Sequence, residues 1–296
     1  MDISKAKNIL IFVFLGLNIF LVYQLVMPLW TGLSAGVAEE EIREMEEVLE
    51  ENNYQLNTSV PESLKSRSFV TVSPPEIDLG EIIQNFHEVE KPDISDLEDK
   101  IVFETEKTLL EIYNNGYYRY KLKDIPLLKA EEFKEEKPEK EILQIAEEFL
   151  RDHNIKLNND AKKEVNQINI NEYHVNFYQK INNIPIYSSF KRVLIQSGTV
   201  VEFSSYWKKV LYMDREQEME VILATAAITR LVEELGPALH VRTIEEIDLG
   251  FFSKEYEAEQ WDIPPVWRIV LNNHEVYYVN AFIGIIEVAE EQILDE

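Results

Sequence analysis

Residues 139–207 decide the fold of this chain of 296 residues. The stretch reads EKEILQIAEEFLRDHNI (139–155), YHVNFYQKI (173–181), IPIYSSFKRVLIQ (184–196) and TVVEFSSYW (199–207). Apolar residues of the first segment share one helical stripe: Ile142, Ile145, Ala146, Phe149 and Leu150. This spacing predicts an amphipathic helix. The other segments are rich in β-branched and aromatic residues, with a turn at Ser197–Gly198, and predict antiparallel strands.

The same order recurs further along the chain. MEVILATAAITRLVEELG (219–236) predicts a helix that ends at Gly236 and Pro237. Three runs predict strands, with NNH (272–274) turning between the last two: IEEIDLGFF (244–252), VWRIVL (266–271) and EVYYVNAF (275–282). One helix followed by hairpins therefore occurs twice, which indicates a weak duplication. Helices that alternate with antiparallel hairpins favour an α+β fold over a parallel sheet.

The region before residue 130 predicts smaller pieces. EEEIREMEEVLEENNY (39–54) has a helical pattern that ends at Asn52 and Asn53, and SFVTV (68–72) predicts a strand. EKTLLEIYNNGYYRYKL (106–122) predicts a hairpin, because NNG favours a tight turn. In PDISDLEDK (92–100), three aspartates spaced three apart are typical of a turn or helix start, not of a calcium loop.

The N-terminal segment predicts a membrane anchor. No charged residue occurs from Ile9 to Val26, and 18 helical residues span about 27 Å, close to a hydrocarbon core of about 30 Å. Lys5 and Lys7 precede this run and place the N-terminus in the cytoplasm. GLSAGVAEE (32–40) leaves a cleaved signal peptide as the alternative, although the apolar run exceeds a usual signal core of about 7–15 residues.

The predicted organisation therefore has four parts. Residues 1–8 are a cytoplasmic N-terminus and residues 9–30 a single transmembrane helix. Residues 31–130 form a first extracytoplasmic region with a helix and a small hairpin unit, and residues 138–296 form a larger α+β region. The charged stretch 130–141, with Pro138, marks the boundary between them. The predicted fold class is α+β, with one N-terminal transmembrane helix and extracytoplasmic antiparallel sheets flanked by helices.

Asn18 and Gln24 are the unusual residues of the predicted span, and Gln24 lies near its outer end, where an amide can reach the interface. An amide in hydrocarbon is costly unless it is hydrogen-bonded, and Asn18 lies near the middle of the run. Gly16 permits close approach of a second helix. Gly16 and Asn18 are therefore the candidate contacts with a partner helix, although a tolerated polar residue remains the alternative.

Composition excludes several functions. The formal net charge of −26 argues against nucleic acid as a partner, because phosphate binding needs a basic face. The absence of cysteine excludes disulfides, thiolate metal sites and cysteine nucleophiles. No phosphate loop, nucleophile elbow or paired-histidine metal motif occurs. We therefore predict no catalytic, cofactor-binding or metal-binding residues, and no enzyme activity.

Several stretches resemble the YycI family, also called WalI. The resemblance lies in MD, SKAK (4–7), ILIFVFL (9–15) and LNIFLVYQ (17–24), and further in NIPIYSSFKRVLI (183–195), PPVWRIVL (264–271) and EVYYVNAFIG (275–284). Members often carry Trp at the third position, where this chain has Ile3. The last stretch is also similar to exported domains of the PepSY type.

The resemblance implies a function in signalling. It implies a non-enzymatic, single-span regulator that acts with its sister protein YycH on the sensor histidine kinase WalK of the WalK/WalR two-component system. That system controls cell-wall metabolism in Gram-positive bacteria. An unidentified extracellular ligand stays open. The alternative is an exported PepSY-like module that binds a peptide or protease and uses its helix only as a tether.

Overall fold

The computed structural model of this protein describes most of the chain after residue 33. The described residues are 14, 17, 18, 34–61, 66–86, 92–123, 138–213, 218–256 and 258–287. Helices longer than one turn in this part are α1 (Ser34–Glu51), α2 (Leu79–Phe86), α3 (Glu139–Asp152) and α4 (Ala224–Leu235).

Strands make up most of the regular structure. The first eight are β1 (Tyr54–Leu56), β2 (Val70–Ser73), β3 (Asp93–Asp96), β4 (Lys100–Glu104), β5 (Thr108–Tyr113), β6 (Tyr118–Leu122), β7 (Lys162–Asn169) and β8 (Glu172–Ile181). The next eight are β9 (Ile184–Gln196), β10 (Thr199–Tyr206), β11 (Lys209–Met213), β12 (Arg242–Phe251), β13 (Trp261–Ile263), β14 (Pro265–Leu271), β15 (Val276–Asn280) and β16 (Ile286–Glu287).

The long strand β9 joins two wings of one large sheet. Along one side β9 pairs with β8, which pairs in turn with β7. On its other side the second half of β9 pairs with β10, and the order continues through β6, β5 and β4 to β3. Near its start, Ile186 pairs in parallel with Phe251 of β12, from which β14, β15 and β16 follow. We call these the β10 wing and the β12 wing.

Each wing is covered on one face by helix. On the β10 wing, α3 buries Ile142, Ala146 and Leu150 against the apolar residues of β8 to β10. On the β12 wing, α4 packs together with α1, which buries Met45 and Leu49 there. The helical stripes supply the apolar surface that each sheet face needs, so both predicted helix-plus-hairpin units are present.

The uncovered face of the β12 wing packs against the β8–β9 hairpin. Tyr178 and Tyr187 from the hairpin meet Val266 and Tyr278 from the wing, and all four are buried. Gly250 makes this approach possible, because a Cβ atom there would lie 2.3 Å from the Tyr187 ring. A smaller sheet, ordered β11-β2-β13, packs against the same region through Val70, Val72 and Ile263.

The predicted α+β class with antiparallel sheets is confirmed, and so are the helices and strands predicted from residues 39–54, 68–72, 106–122 and 139–282. The turn or helix-start interpretation of residues 92–100 is wrong for Asp93–Asp96. These residues form β3, because pairing with β4 overrides their weak strand propensity. The sequence patterns do not predict α2 or the strands β1, β4, β7, β11, β13 and β16.

The predicted transmembrane segment 9–30 lies almost entirely outside the described residues. Only Phe14, Leu17 and Asn18 of it are described. No helix within the described part of the chain has the length and apolar character needed to cross a membrane. Strands from both predicted extracytoplasmic regions pair within the large sheet, and the division into regions 31–130 and 138–296 stays a prediction.

Candidate functional site

Asn18 is the one predicted site residue that the structure describes. Lys5, Lys7 and Gly16 lie outside the described residues. Asn18 is helical and exposed, and its Nδ2 donates to the carbonyl oxygen of Phe14 at 2.8 Å. An asparagine amide offers two N–H donors and an acceptor oxygen, so this local bond uses only part of its capacity. The side chain is therefore able to bond within its own helix and to a second helix at the same time.

The junction between the wings contains a buried cation, Arg268 of β14. Its side chain is 2% exposed. Nη2 donates to Oε1 of Glu164 on β7 at 2.7 Å, and Nη1 donates to Oε2 of Glu246 on β12 at 2.8 Å. Because Glu164 belongs to the β7–β8–β9 layer and Glu246 to the β12 wing, the guanidinium joins the two layers.

A second cation extends this network towards solvent. Nζ of Lys162 donates to the Tyr187 hydroxyl at 2.9 Å and lies 3.3 Å from Oδ2 of Asp248. The Tyr187 hydroxyl donates to the same carboxylate, and Arg268 stacks on the Tyr187 ring at 5.1 Å. We call Lys162, Glu164, Tyr187, Asp248 and Arg268, together with Glu246, the polar junction.

Electrostatics make the polar junction a fixed element. Burial lowers the pKa of Arg268, but Glu164 above all, and then Tyr178, Tyr278 and Asp248, outweigh this effect and raise the pKa well above its usual value. The cation therefore keeps its charge, and its carboxylate partners hold it from both layers. Such an arrangement holds the β7–β8–β9 layer and the β12 wing in one position relative to each other.

A contrasting buried cation, Lys208, lies just after β10. Its side chain is among the fully buried ones, and its Nζ donates to the carbonyl oxygen of Ser188. The rings of Tyr206 and Trp261 lie 4.1 Å and 5.9 Å from this nitrogen. Burial lowers the pKa of Lys208 to about 7, although the charge of Glu255 opposes this.

The face of the β10 wing away from α3 carries a shallow polar recess. Its lining residues are Tyr117, Arg119, His174, Arg192, Leu194, Glu202 and Ser204. Nη2 of Arg119 lies 2.6 Å from Glu111, and Nε of Arg192 donates to Asn176 at 2.6 Å. Burial, and then the charge of Arg192, lower the pKa of His174 to about 4.

The cations of the recess thus have partners within the sheet, and His174 is neutral at neutral pH. The recess is therefore a polar face whose side chains are bonded within the sheet. Across the described ranges, no group of three or more His, Asp or Glu side chains is placed to hold a metal ion.

Sequence reasoning did not find the polar junction or Lys208. A usable signal exists, because Arg268 interrupts the apolar run VWRIVL and Lys208 follows the aromatic pair Tyr206–Trp207. A cation within an apolar strand needs a buried partner, which the sequence does not identify.

A family model described as YycI protein matches residues 34–282, which is most of the chain. The chain belongs to the YycI family. This confirms the predicted family; the match includes the hairpin stretches, whereas the N-terminal stretches lie before residue 34. YycI proteins are membrane-associated regulators connected with the WalK/WalR two-component system, and the family is a regulatory one, not one of known enzymes.

Comparisons with individual proteins do not extend this family assignment. No curated protein matches this chain. A crystal structure of an uncharacterized protein from Eubacterium rectale ATCC 33656 is similar with 10% identity and a TM-score of 0.49, covering 80% of this chain and 91% of that one. The Bacillus megaterium YpeB C-terminal domain is similar with 16% identity and a TM-score of 0.36, covering 74% of this chain and 98% of that one.

Proposed function

We propose that this YycI protein is a non-enzymatic regulatory subunit of the WalK sensor kinase. It associates with WalK, together with a YycH-like protein, through a transmembrane helix at residues 9–30 and modulates WalK/WalR signalling in cell-wall metabolism. Family membership is the observation that carries the regulatory assignment. The uncharged run Ile9–Val26 and the lysines before it support a single-pass topology with a cytoplasmic N-terminus and an extracytoplasmic domain.

The connection between span and domain supports coupling between them. α1 begins at Ser34, so only residues 31–33 separate it from the predicted span. Met45 and Leu49 of α1 are buried against α4. A shift of the folded domain would therefore displace α1 and, through it, the transmembrane helix. Regulation follows when the helix contacts of WalK differ in free energy between its two signalling states.

Asn18→Leu tests the helix contact directly. We expect less WalK to co-purify with the full chain, because an interhelical amide bond of about 0.6–2 kcal/mol is lost. That energy corresponds to roughly a 3- to 30-fold loss of affinity. Membrane insertion stays intact, because leucine raises the apolar character of the span. Leu17→Ala is the matched control, one position away on the same helix. Unchanged co-purification together with unchanged signalling would contradict the contact.

A helix swap separates this proposal from the tether alternative. Residues 9–30 are replaced by an unrelated single-span helix of the same length and orientation. Loss of WalK-dependent transcription, with the protein still in the membrane, is the outcome expected here. Retained signalling would favour a PepSY-like binding module for which the helix is only a tether. A photoreactive residue at position 18 of the unswapped chain identifies the captured proteins.

A further inference from the structure

The turn between β15 and β16 has an unusual composition for a surface. Residues 281–286 read AFIGII, without a polar side chain. Ile283 and Ile285 are 58% and 59% exposed, on either side of Gly284. Phe282 instead packs inward, with its ring 5.1 Å from that of Phe69. Two exposed isoleucines separated by one glycine form a small apolar projection at this turn.

The backbone of this turn is largely bonded within the protein. The N–H groups of Phe282 and Ile283 donate to Oδ1 of Asn280 at 3.0 and 3.3 Å, and the N–H of Gly284 donates to the Asn280 carbonyl at 2.7 Å. Nη1 of Arg230 donates to the carbonyl oxygen of Ile283 at 2.7 Å. Backbone groups satisfied in this way lower the cost of leaving water, which is what an apolar environment requires.

Gly284 leaves the space that the Arg230 side chain occupies over the turn. Its φ of 71° is left-handed, and a Cβ atom there would lie 1.6 Å from Nη1 of Arg230. The turn therefore presents Ile283 and Ile285 outward while Arg230 lies against its backbone.

The turn lies at the end of the domain where α4 begins. The N–H of Ile222, two residues before α4, donates to the carbonyl oxygen of Ala281 at 2.8 Å. At the opposite end, α4 and α1 finish side by side, where the N–H of Ala238 donates to the carbonyl oxygen of Asn52 at 3.0 Å. Met45 and Leu49 of α1 share one buried cluster with α4 residues from Ala224 to Val232. From the contact at Asn52, α1 therefore runs back beside α4, towards the end that carries the turn.

That end is the one attached to the predicted span. Residues 31–33 alone join position 30 to Ser34, and three residues extend the chain by at most about 14 Å between flanking Cα atoms. The isoleucine turn therefore lies on the side of the domain that faces the bilayer. A tethered surface meets the membrane at high effective concentration, so modest apolar area suffices for contact.

We propose that the turn 281–286 is a membrane-contact site that inserts Ile283 and Ile285 into the headgroup layer of the bilayer. The inference rests on the membrane anchor of the proposed function. The ligand is a lipid surface, contacted by aliphatic side chains rather than by charge, in keeping with the acidic chain. Contact at this turn and at the span would fix the tilt of the domain over the membrane.

The absence of cysteine permits a clean test on the full chain. Ile283→Cys, Leu239→Cys and Leu17→Cys are each labelled with an environment-sensitive fluorophore and reconstituted in phosphatidylcholine vesicles. The vesicles carry nitroxide on the headgroup or deep on the acyl chain. Leu239 is the matched control, because it is 98% exposed and follows α4 at the opposite end of the domain.

We expect headgroup nitroxide to quench the position 283 probe several-fold more than the position 239 probe, with acyl nitroxide quenching position 17. Equal quenching at 283 and 239, with position 17 quenched, overturns the contact site and leaves the anchor standing. A blue-shifted position 283 probe that lipid nitroxide does not quench shows that protein covers the turn and also overturns it. Failure of acyl nitroxide to quench position 17 overturns the anchor and this inference together.

Discussion

Arg268 and Lys208 are both fully buried cations of the same sheet system, yet their surroundings are opposite. Arg268 lies among Glu164, Glu246 and Asp248, which contact it from two layers. Lys208 bonds to a carbonyl oxygen and faces two aromatic rings. Burial lowers both pKa values, but the neighbours of Arg268, led by Glu164, outweigh it, whereas Glu255 does not outweigh it for Lys208. The pKa of Arg268 therefore rises, while that of Lys208 falls to about 7.

The difference shows what each cation does for the fold. A buried charge with carboxylate partners makes a strong directional connection, and the polar junction uses it to hold the two wings in one orientation. A buried amine without a close carboxylate costs stability whenever it is protonated. Removing each cation should therefore have opposite consequences for the free energy of unfolding.

Arg268→Met should produce the largest effect. The variant takes the guanidinium away from the buried carboxylate of Glu164, whose remaining cation is Lys162 at 3.6 Å. Breaking a buried pair in this way costs about 3–5 kcal/mol. We expect that loss in the free energy of unfolding, measured by chemical denaturation of the full chain in detergent at pH 7.

The control variant also neutralises the carboxylate of Glu164. Adding Glu164→Gln to Arg268→Met should recover part of the lost stability, because an amide is cheaper to bury than a carboxylate. A double variant that is as unstable as the sum of both single variants would show that Arg268 and Glu164 are not coupled.

Lys208→Met should change the pH dependence of stability. Between pH 7 and the ordinary lysine value of 10.5, the unfolded chain holds a proton on Lys208 and the folded chain does not. Unfolding thus takes up a proton, so wild-type stability rises with pH across this window. Relative to the variant, we expect the wild type to gain on the order of 3 kcal/mol from pH 7 to pH 10.

Lys209→Met is the matched control for this effect. Lys209 is the next residue and its side chain is half exposed, paired with Glu76. Its removal should leave the pH dependence of the wild type almost unchanged over the same window. Parallel curves for wild type and Lys208→Met would mean that Lys208 keeps its proton in the folded protein.

These two cations also show where sequence reasoning ends. The amphipathic stripe of α3 and the alternation of β8 to β10 predict their own structure, because one buried face repeats with the period of the element. The polar junction depends on Glu164 and Arg268, which are 104 residues apart and meet only because β9 serves both wings. No local sequence pattern predicts the contact between Glu164 and Arg268.

Two further features depended on pairing or packing between distant segments. β3 forms on the edge of the sheet from the acidic run DISD, which has little strand propensity of its own. In the sequence, the isoleucine turn lies at the end of a predicted strand and has no signal of its own. The structure shows that Asn280 bonds the turn backbone and that Ile283 and Ile285 project outward. Asn18, by contrast, is visible in sequence because its amide lies in the middle of an apolar run.

Glu246→Gln should have the smallest effect on the free energy of unfolding. It distinguishes the exposed carboxylate of the polar junction, Glu246, from the buried one, Glu164. The Glu246 side chain is half exposed. It contacts Nη1 of Arg268, and the same nitrogen lies 3.4 Å from Asp248. Water and Asp248 therefore compensate for much of what the substitution removes, and we expect a loss of about 0–1 kcal/mol in the free energy of unfolding. A loss as large as that of Arg268→Met would mean that Glu246, and not Glu164, holds the guanidinium in place. The connection between the layers would then depend on a solvent-accessible contact that salt can weaken. Repeating the measurement at high salt therefore distinguishes the two arrangements.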